Sequence, residues 1–212
     1  MTAATGSLAA SFPTELADDD DGVPAAEYLA FCRSLAAGVS VLTSRNAAGP
    51  VGLTATAVTS LSMRPPLLLA CLAAQSRTLA AIRTQRAFAV HLLRAEQQDC
   101  ARAFASRSTA EEKFRQVRWS HVLGVPVLRD VLHWLVCFVE DERQYGDHSV
   151  VVGRVVAGRG ATGTPLLWHH RSYWELAPPA GPEPSEAAGP EPRSAAVTSF
   201  AARRPDSTAP SR

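Results

Sequence analysis

The chain is almost devoid of lysine, because only one of its 21 basic side chains, Lys113, is not an arginine. Its four cysteines are spread along the chain without a C-x-x-C step or a Cys/His spacing that would hold a metal. No apolar run approaches the ~20 residues that a membrane-spanning helix needs. No cluster of basic and aromatic residues is present either. We therefore expect no metal site, no membrane partner and no nucleic-acid partner.

Two further absences narrow the class of protein. No G-x-S-x-G or similar pairing of a nucleophile with a base is present, which argues against a hydrolase. The N-terminus has neither the basic region nor the apolar region of a signal peptide. The cysteines lie mainly in apolar or helical patterns, where they act as small hydrophobes. These features predict a reduced, cytoplasmic protein.

Composition divides the 212 residues into three segments. Residues 1–24 hold five acidic side chains and no basic one, whereas residues 177–212 hold eight of the 15 prolines. Both segments are predicted to be disordered. The middle segment, residues 25–176, carries a net charge of +6 and is expected to form one domain. Its mildly basic character suits small ligands that carry phosphate.

The middle segment is predicted to be mainly β with peripheral helices. Strands are expected at Val39–Ser44, Val51–Val58, Leu67–Leu72, Ala87–Leu93, Leu132–Glu140, Ser149–Val156, Leu166–Trp168 and Tyr173–Leu176. Helices are expected at Ala25–Ala36, Thr78–Gln85 and Ala95–Ala105. Asp141–Asp147 is interpreted as a charged turn and Gly158–Thr164 as a loop. Many short strands with three helices are typical of a β-barrel whose ends are closed by helices.

The most informative stretch runs from Val51 to Thr78. Residues 52–62 are rich in small and hydroxyl side chains, which let a flat ligand approach the backbone and still offer hydrogen bonds. Ser76-Arg77-Thr78 precedes a helical pattern, and a helix N-terminus with hydroxyls and an arginine suits a phosphate. An ordinary β-strand and an ordinary N-cap are the alternative interpretations. The order and spacing of the two halves favour a cofactor cradle.

Several motifs in a fixed order carry a family resemblance. They are Gly-x-Thr, Thr-Ser-x-Ser, Pro-Pro-Leu-x-Leu and Ser-Arg-Thr, followed by Phe88–Leu93, the Phe104 helix, Glu112-Lys113-Phe114, Gly146-Asp147-His148 and Arg171-Ser-Tyr173. Over roughly residues 28–176 the chain resembles the short-chain flavin reductases. This resemblance implies an FMN-binding split β-barrel, usually a homodimer, that supplies reduced flavin to a two-component monooxygenase.

The resemblance also implies roles for individual residues. It places Gly52, Leu53, Thr54, Thr56 and Ala57 along the flavin ring and ribityl chain, Cys71, Leu72 and Ala73 at the other edge of the ring, Ser76, Arg77 and Thr78 at the phosphate, and Phe104, Lys113 and Phe114 over the phosphate or adenosine. His148 is implied as the catalytic residue on the nicotinamide side, with Tyr173 as a wall of the same pocket. Core packing for the two phenylalanines and a solvent-exposed position for Lys113 or His148 are the alternatives.

The expected activity is reduction of FMN or FAD by NADH or NADPH, with hydride transfer to flavin N5. Two other interpretations stay open at this point: a flavin-binding protein with different tailoring chemistry, and a non-enzymatic binding or interaction module. The chain departs from the family pattern at His91, where an asparagine is usual, and at Met63-Arg64, which replaces an acidic residue.

Overall fold

The computed structural model of the protein describes residues 22–177. The predicted disorder of residues 1–24 and 177–212 therefore concerns segments that lie almost entirely outside the described residues. Within the described range, no helix combines the length and the apolar character needed to cross a membrane.

Short strands dominate the described chain. The helices are α1 (Ala25–Ser34), α2 (Arg77–Gln85), α3 (Gln98–Ala105) and α4 (Ala110–Arg115). The strands are β1 (Ala37–Gly38), β2 (Ser40–Asn46), β3 (Gly49–Ala55), β4 (Val58–Met63), β5 (Pro66–Ala73), β6 (Ala87–Leu92), β7 (Trp119–Val122), β8 (Val125–Leu128), β9 (His133–Tyr145), β10 (His148–Gly160), β11 (Leu166–His169) and β12 (Ser172–Glu175).

The main sheet has seven strands in the order β3-β2-β6-β9-β10-β5-β4, and every neighbouring pair is antiparallel. A three-stranded sheet, β1-β11-β12, and the β7–β8 hairpin lie beside it. Because the main sheet does not close on itself, β3 and β4 form its edges. The prediction of a mainly β split barrel with peripheral helices is confirmed.

Helix α2 packs on the main sheet through its apolar face. Leu79 and Ile82 lie one helical turn apart and are fully buried against Leu42 and Phe88. Burial of each such side chain contributes about 1.5–3 kcal/mol. Gly153 makes room for this core, since a Cβ there would lie 2.6 Å from Cζ of Phe88. The packing fixes where the N-terminus of α2 meets the sheet.

The predicted end of the fifth strand is wrong. Leu132–Glu140 was expected to end in a charged turn over residues 141–147, but β9 continues to Tyr145 and the turn is only Gly146-Asp147. Gly146 has φ 56°, a conformation that glycine adopts without strain. Charged residues can continue the strand where a neighbouring element supplies a partner for the side chain, as Arg83 of α2 forms an ion pair with Glu142. Strand β10 extends to Gly160, into the predicted loop, where it pairs with His133–Leu135 of β9.

Other local predictions also need correction. Strand β4, helix α4 and the β7–β8 hairpin were not predicted, and α3 begins at Gln98 instead of Ala95. Helix α1 ends at Ser34, two residues earlier than expected, and none of its residues is buried within this chain. Short elements of this kind depend on tertiary partners more than on their own propensities.

Candidate functional site

A cleft of about 270 Å³ lies where the β2–β3 hairpin approaches the N-termini of α2 and α4. Six of the predicted cofactor-binding residues line it: Gly52, Leu53, Ser76, Arg77, Thr78 and Lys113. The structure thus brings together residues that are up to 61 positions apart in the chain. The cleft is the candidate cofactor site.

Sequence reasoning missed several residues of this cleft. Asn46 and Pro50 come from the hairpin, and Ser108 precedes α4. A usable signal existed for the last of these, because Thr109-x-x-Glu112 has the pattern of a capping box. The box is formed: the Thr109 hydroxyl accepts from the Glu112 N–H at 3.2 Å, and the Glu112 carboxylate accepts from the Thr109 N–H at 2.8 Å.

The N-terminus of α2 forms one wall of the cleft. The Ser76 hydroxyl caps the helix, accepting hydrogen bonds from the N–H groups of Thr78 and Leu79 at 3.2 and 3.4 Å. The cap fixes the first turn, in which Thr78 is buried and Arg77 is exposed. The positive end of the helix dipole and the Arg77 guanidinium therefore both place positive charge at the cleft.

Lys113 forms the opposite wall and is only 7% exposed. Its ammonium donates a hydrogen bond to the carbonyl oxygen of Phe104 at 3.2 Å. Burial lowers the pKa of Lys113, and the nearby positive charge of Arg77 lowers it further. A buried ammonium that faces a second cation is costly unless an anion balances both. The alternative interpretation, a solvent-exposed Lys113, does not agree with this burial.

The charge around the cleft fits the phosphate of a flavin nucleotide. Two cations, Arg77 and Lys113, and the hydroxyl-bearing residues Ser76, Thr78 and Ser108 line it. No aspartate or glutamate of the described chain is among its lining residues. Arginine and a helix N-terminus are the donors that phosphate groups use most readily.

Behind the cleft, Gly52 and Phe104 are in close contact. A Cβ on Gly52 would lie 2.8 Å from Cε1 of Phe104 and 3.0 Å from the carbonyl oxygen of Leu42. The Phe104 and Phe114 rings are buried and meet edge to face, with centroids 5.2 Å apart. Both phenylalanines therefore pack in the core that supports the cleft, as the alternative interpretation expected.

Other predicted ring-contacting residues lie along β3 and β5. The Thr54 hydroxyl donates to the carbonyl oxygen of Ala101 at 2.7 Å and joins β3 to α3. Ala57, which follows Thr56 in the β3–β4 connection, accepts from the Cys71 N–H at 2.9 Å. Leu72 is buried in the main core, which leaves Cys71 and Ala73 on the other face of β5.

His148 begins β10 and lies opposite Ala73, at the end of β5. Its Nδ1 is 2.8 Å from the Asp147 carboxylate, so Nδ1–H donates to that carboxylate, and in the neutral ring Nε2 is left to accept. This hydrogen bond lowers the pKa of Asp147. The Asp147 carbonyl also accepts from the Ala74 N–H at 2.8 Å. Ala73, the strand partner of His148, lies three positions before Ser76 in the chain. His148 is therefore held near the N-terminus of α2.

Tyr173 is not brought to His148 within this chain. It lies in β12, where its ring packs against Trp168 with centroids 4.9 Å apart and beneath the Arg102 guanidinium at 5.2 Å. It lines a separate cavity with Glu96, Gln98 and Trp174. The structure of a single chain therefore gives Tyr173 a position apart from the cleft.

His91, the departure from the family pattern, is fully buried. Nδ1 donates to the carbonyl oxygen of Val41 at 2.8 Å, and Nε2 accepts from the Leu128 N–H at 3.0 Å. Burial lowers the pKa of His91 to about 4, so the ring is neutral at pH 7. His91 joins β2, β6 and β8 and does not line the cleft.

Comparisons with known proteins bear on the family and the fold. The family model described as "Flavin reductase like domain" matches residues 32–177. A "Probable flavin reductase" of Rhizobium meliloti is 40% identical over 126 residues, which are 58% of this chain but only 40% of that longer protein. The chain therefore spans less than half of that relative.

Two other matches cover most of the known protein. The reductase component of a 4-nitrophenol and 4-nitrocatechol monooxygenase from Rhodococcus opacus is 34% identical, over 72% of this chain and 82% of that one. An NADH:FAD oxidoreductase of Streptomyces globisporus C-1027, solved with NAD and FAD fragments, superposes with a TM-score of 0.70. It is 28% identical and covers 79% of this chain and 99% of its own. By family model, sequence and fold, this chain belongs to the flavin reductase-like domain family.

Proposed function

We infer that the protein is an NAD(P)H:flavin oxidoreductase that reduces FMN or FAD. The observation that carries this inference is that two cations, Arg77 and the buried Lys113, line the same cleft. No carboxylate of the described residues lines it. This pair supplies the charge that a flavin phosphate needs, and His148 lies at the adjacent strand end. Membership of the family supports the same activity.

The bound flavin would supply the redox chemistry, accepting a hydride at N5 from the nicotinamide. The chain itself contributes binding and alignment. Ser76, Arg77 and Thr78 hold the phosphate end, and Lys113 closes over it. Gly52 and Leu53 lie along one edge of the cleft and offer the flavin ring exposed backbone and an apolar side chain. Alignment of this kind can supply several kcal/mol of the barrier reduction.

His148 is proposed to orient the nicotinamide. Because Asp147 accepts the Nδ1 proton, Nε2 is an acceptor, and the carboxamide group of a nicotinamide offers an N–H donor. His148 is exposed at the start of β10, opposite Ala73 at the end of β5, which leaves this nitrogen accessible to a ligand. In this role the histidine fixes geometry and transfers no proton.

We also propose that the protein is a homodimer. Helix α1, which has no buried residue in this chain, presents Tyr28 and Phe31 at 65% and 63% exposure, and Leu35, directly after the helix, is 53% exposed. A second subunit that covers this face would remove apolar surface from water. Sedimentation equilibrium of the wild type and of a Phe31→Glu variant tests the proposal; a monomeric wild type would contradict it.

Transfer of reduced flavin to an oxygenase is proposed from the Rhodococcus opacus relative, which is named as a reductase component. A cytoplasmic location is proposed because the four cysteines are free thiols and the donor is a cytoplasmic nucleotide.

The activity is tested by following loss of NADH absorbance with purified protein and free FMN, FAD or riboflavin, and then with NADPH. Rapid flavin-dependent oxidation is expected and identifies the preferred pair. Absence of turnover in protein that binds flavin would overturn the reductase assignment and leave a flavin-binding protein with other chemistry.

A further inference from the structure

Arg83, in the last turn of α2, reaches away from the cleft to the β9–β10 hairpin. Its Nε lies 3.1 Å from Oε1 and 3.0 Å from Oε2 of Glu142, and one Nη lies 2.6 Å from Oε1. A bidentate contact of this kind fixes the orientation of the guanidinium relative to the carboxylate as well as their distance.

The same Nη also donates to the Ser149 hydroxyl at 3.2 Å. Ser149 is fully buried and directly follows His148 in β10. Glu142 is in β9, and its side chain is only 17% exposed. One guanidinium therefore joins three elements, α2, β9 and β10, at a point one residue from His148.

The other end of α2 is joined to the same hairpin through β5. Ala73 pairs with His148, and the Ala74 N–H donates to the carbonyl oxygen of Asp147 at 2.8 Å. Two residues later Ser76 caps α2. The helix is thus connected to the strand of His148 at both of its ends, once through backbone bonds and once through Arg83.

This ion pair differs from the neighbouring pair of Arg143 and Asp141. Arg143 and Asp141 also pair on the hairpin, but both belong to β9 and their side chains are 70% and 54% exposed. Such a contact constrains one strand and contributes little. The hydrogen bond from Arg83 holds the pKa of Glu142 below its usual range, so the carboxylate stays charged at neutral pH.

We propose that Arg83 is a positioning residue, which through Glu142 and Ser149 sets His148 relative to the flavin-binding end of α2. The proposal rests on the proposed role of His148 at the nicotinamide. Arg83 itself is not among the residues that line the cleft. Its loss should therefore affect the nicotinamide more than the flavin, because Ser76 keeps the phosphate end of α2 capped.

The test compares Arg83→Gln and Arg83→Lys with Arg143→Gln, a matched control that removes an arginine from an exposed pair on the same hairpin. Flavin affinity is measured by fluorescence titration, and NADH kinetics at saturating flavin. Arg83→Gln should lower kcat/KM for NADH roughly tenfold, mainly through KM, with flavin affinity within about threefold of the wild type. The kcat/KM of Arg83→Lys should lie between those of Arg83→Gln and the wild type, since lysine keeps the charge and loses the bidentate contact. Arg143→Gln should match the wild type.

A second readout is independent of turnover. The ring ¹⁵N signals of His148, assigned by their absence in a His148→Asn variant, should shift in Arg83→Gln and not in Arg143→Gln. Unmoved signals in Arg83→Gln, or NADH kinetics equal to those of Arg143→Gln, would overturn the proposal. Should Arg83→Gln fail to fold, Arg83→Lys and Ser149→Ala carry the same comparison. Failure of the wild type to oxidise NADH would instead count against the proposed function, whereas the NMR signals would still decide the coupling.

Discussion

The ammonium of Lys113 and the carbonyl oxygen of Phe104 lie 3.2 Å apart in a buried position. This contact holds the chain's single lysine over the cleft, opposite Arg77, although burial disfavours its charge. A bound ligand with negative charge would offset the cost of holding these two cations close together.

Replacing Lys113 should therefore weaken binding of flavin phosphate. Lys113→Gln keeps a hydrogen-bond donor, one atom nearer the backbone, but loses the charge, and the expected loss of FMN affinity is about 1.5–3 kcal/mol, as for a hydrogen bond to a charged group. Fluorescence titration measures it. Arg115→Gln, on an exposed position of the same helix, is the control and should bind as the wild type does. Equal affinity in all three proteins would show that Lys113 does not contact the ligand.

Gly52 should not tolerate a side chain. Gly52→Ala would place a Cβ 2.8 Å from the Phe104 ring and should cost about 1–3 kcal/mol of unfolding free energy through overpacking. Urea unfolding monitors the change. A Gly52→Ala/Phe104→Leu double variant should regain part of the loss. A single variant as stable as the wild type would mean that the strand moves away from the ring at no cost.

Acid should destabilise the protein through His91. Its pKa is about 4 in the folded state and 6.5 when unfolded, so protons bind the unfolded chain first. The stability that depends on neutral His91 is complete above pH 6.5 and is lost as the pH falls towards 4, by roughly 3 kcal/mol in total. His91→Asn should flatten this part of the pH dependence of urea unfolding. An equally steep loss in the variant would assign the effect to other groups.

Local signals in the sequence were enough for some of these features and not for others. The cap and first turn of α2 could be predicted because the Ser76 hydroxyl accepts its hydrogen bonds from N–H groups of its own helix. The continuation of β9 could not, since Glu142 fits a sheet only because Arg83, 59 residues earlier, meets it. The burial of Lys113 likewise depends on a carbonyl oxygen nine residues away, on another helix. The family motifs led to the cleft, whereas its depth and charge balance came from tertiary contacts.

The measurement that tests the central claim most directly compares FMN with riboflavin, which lacks the phosphate, in wild type and Arg77→Ala. If α2 holds the phosphate, Arg77→Ala should weaken FMN binding by about 1.5–3 kcal/mol and leave riboflavin binding unchanged. Unchanged FMN affinity, or an equal loss for both ligands, would contradict the assignment of this cleft to the flavin phosphate.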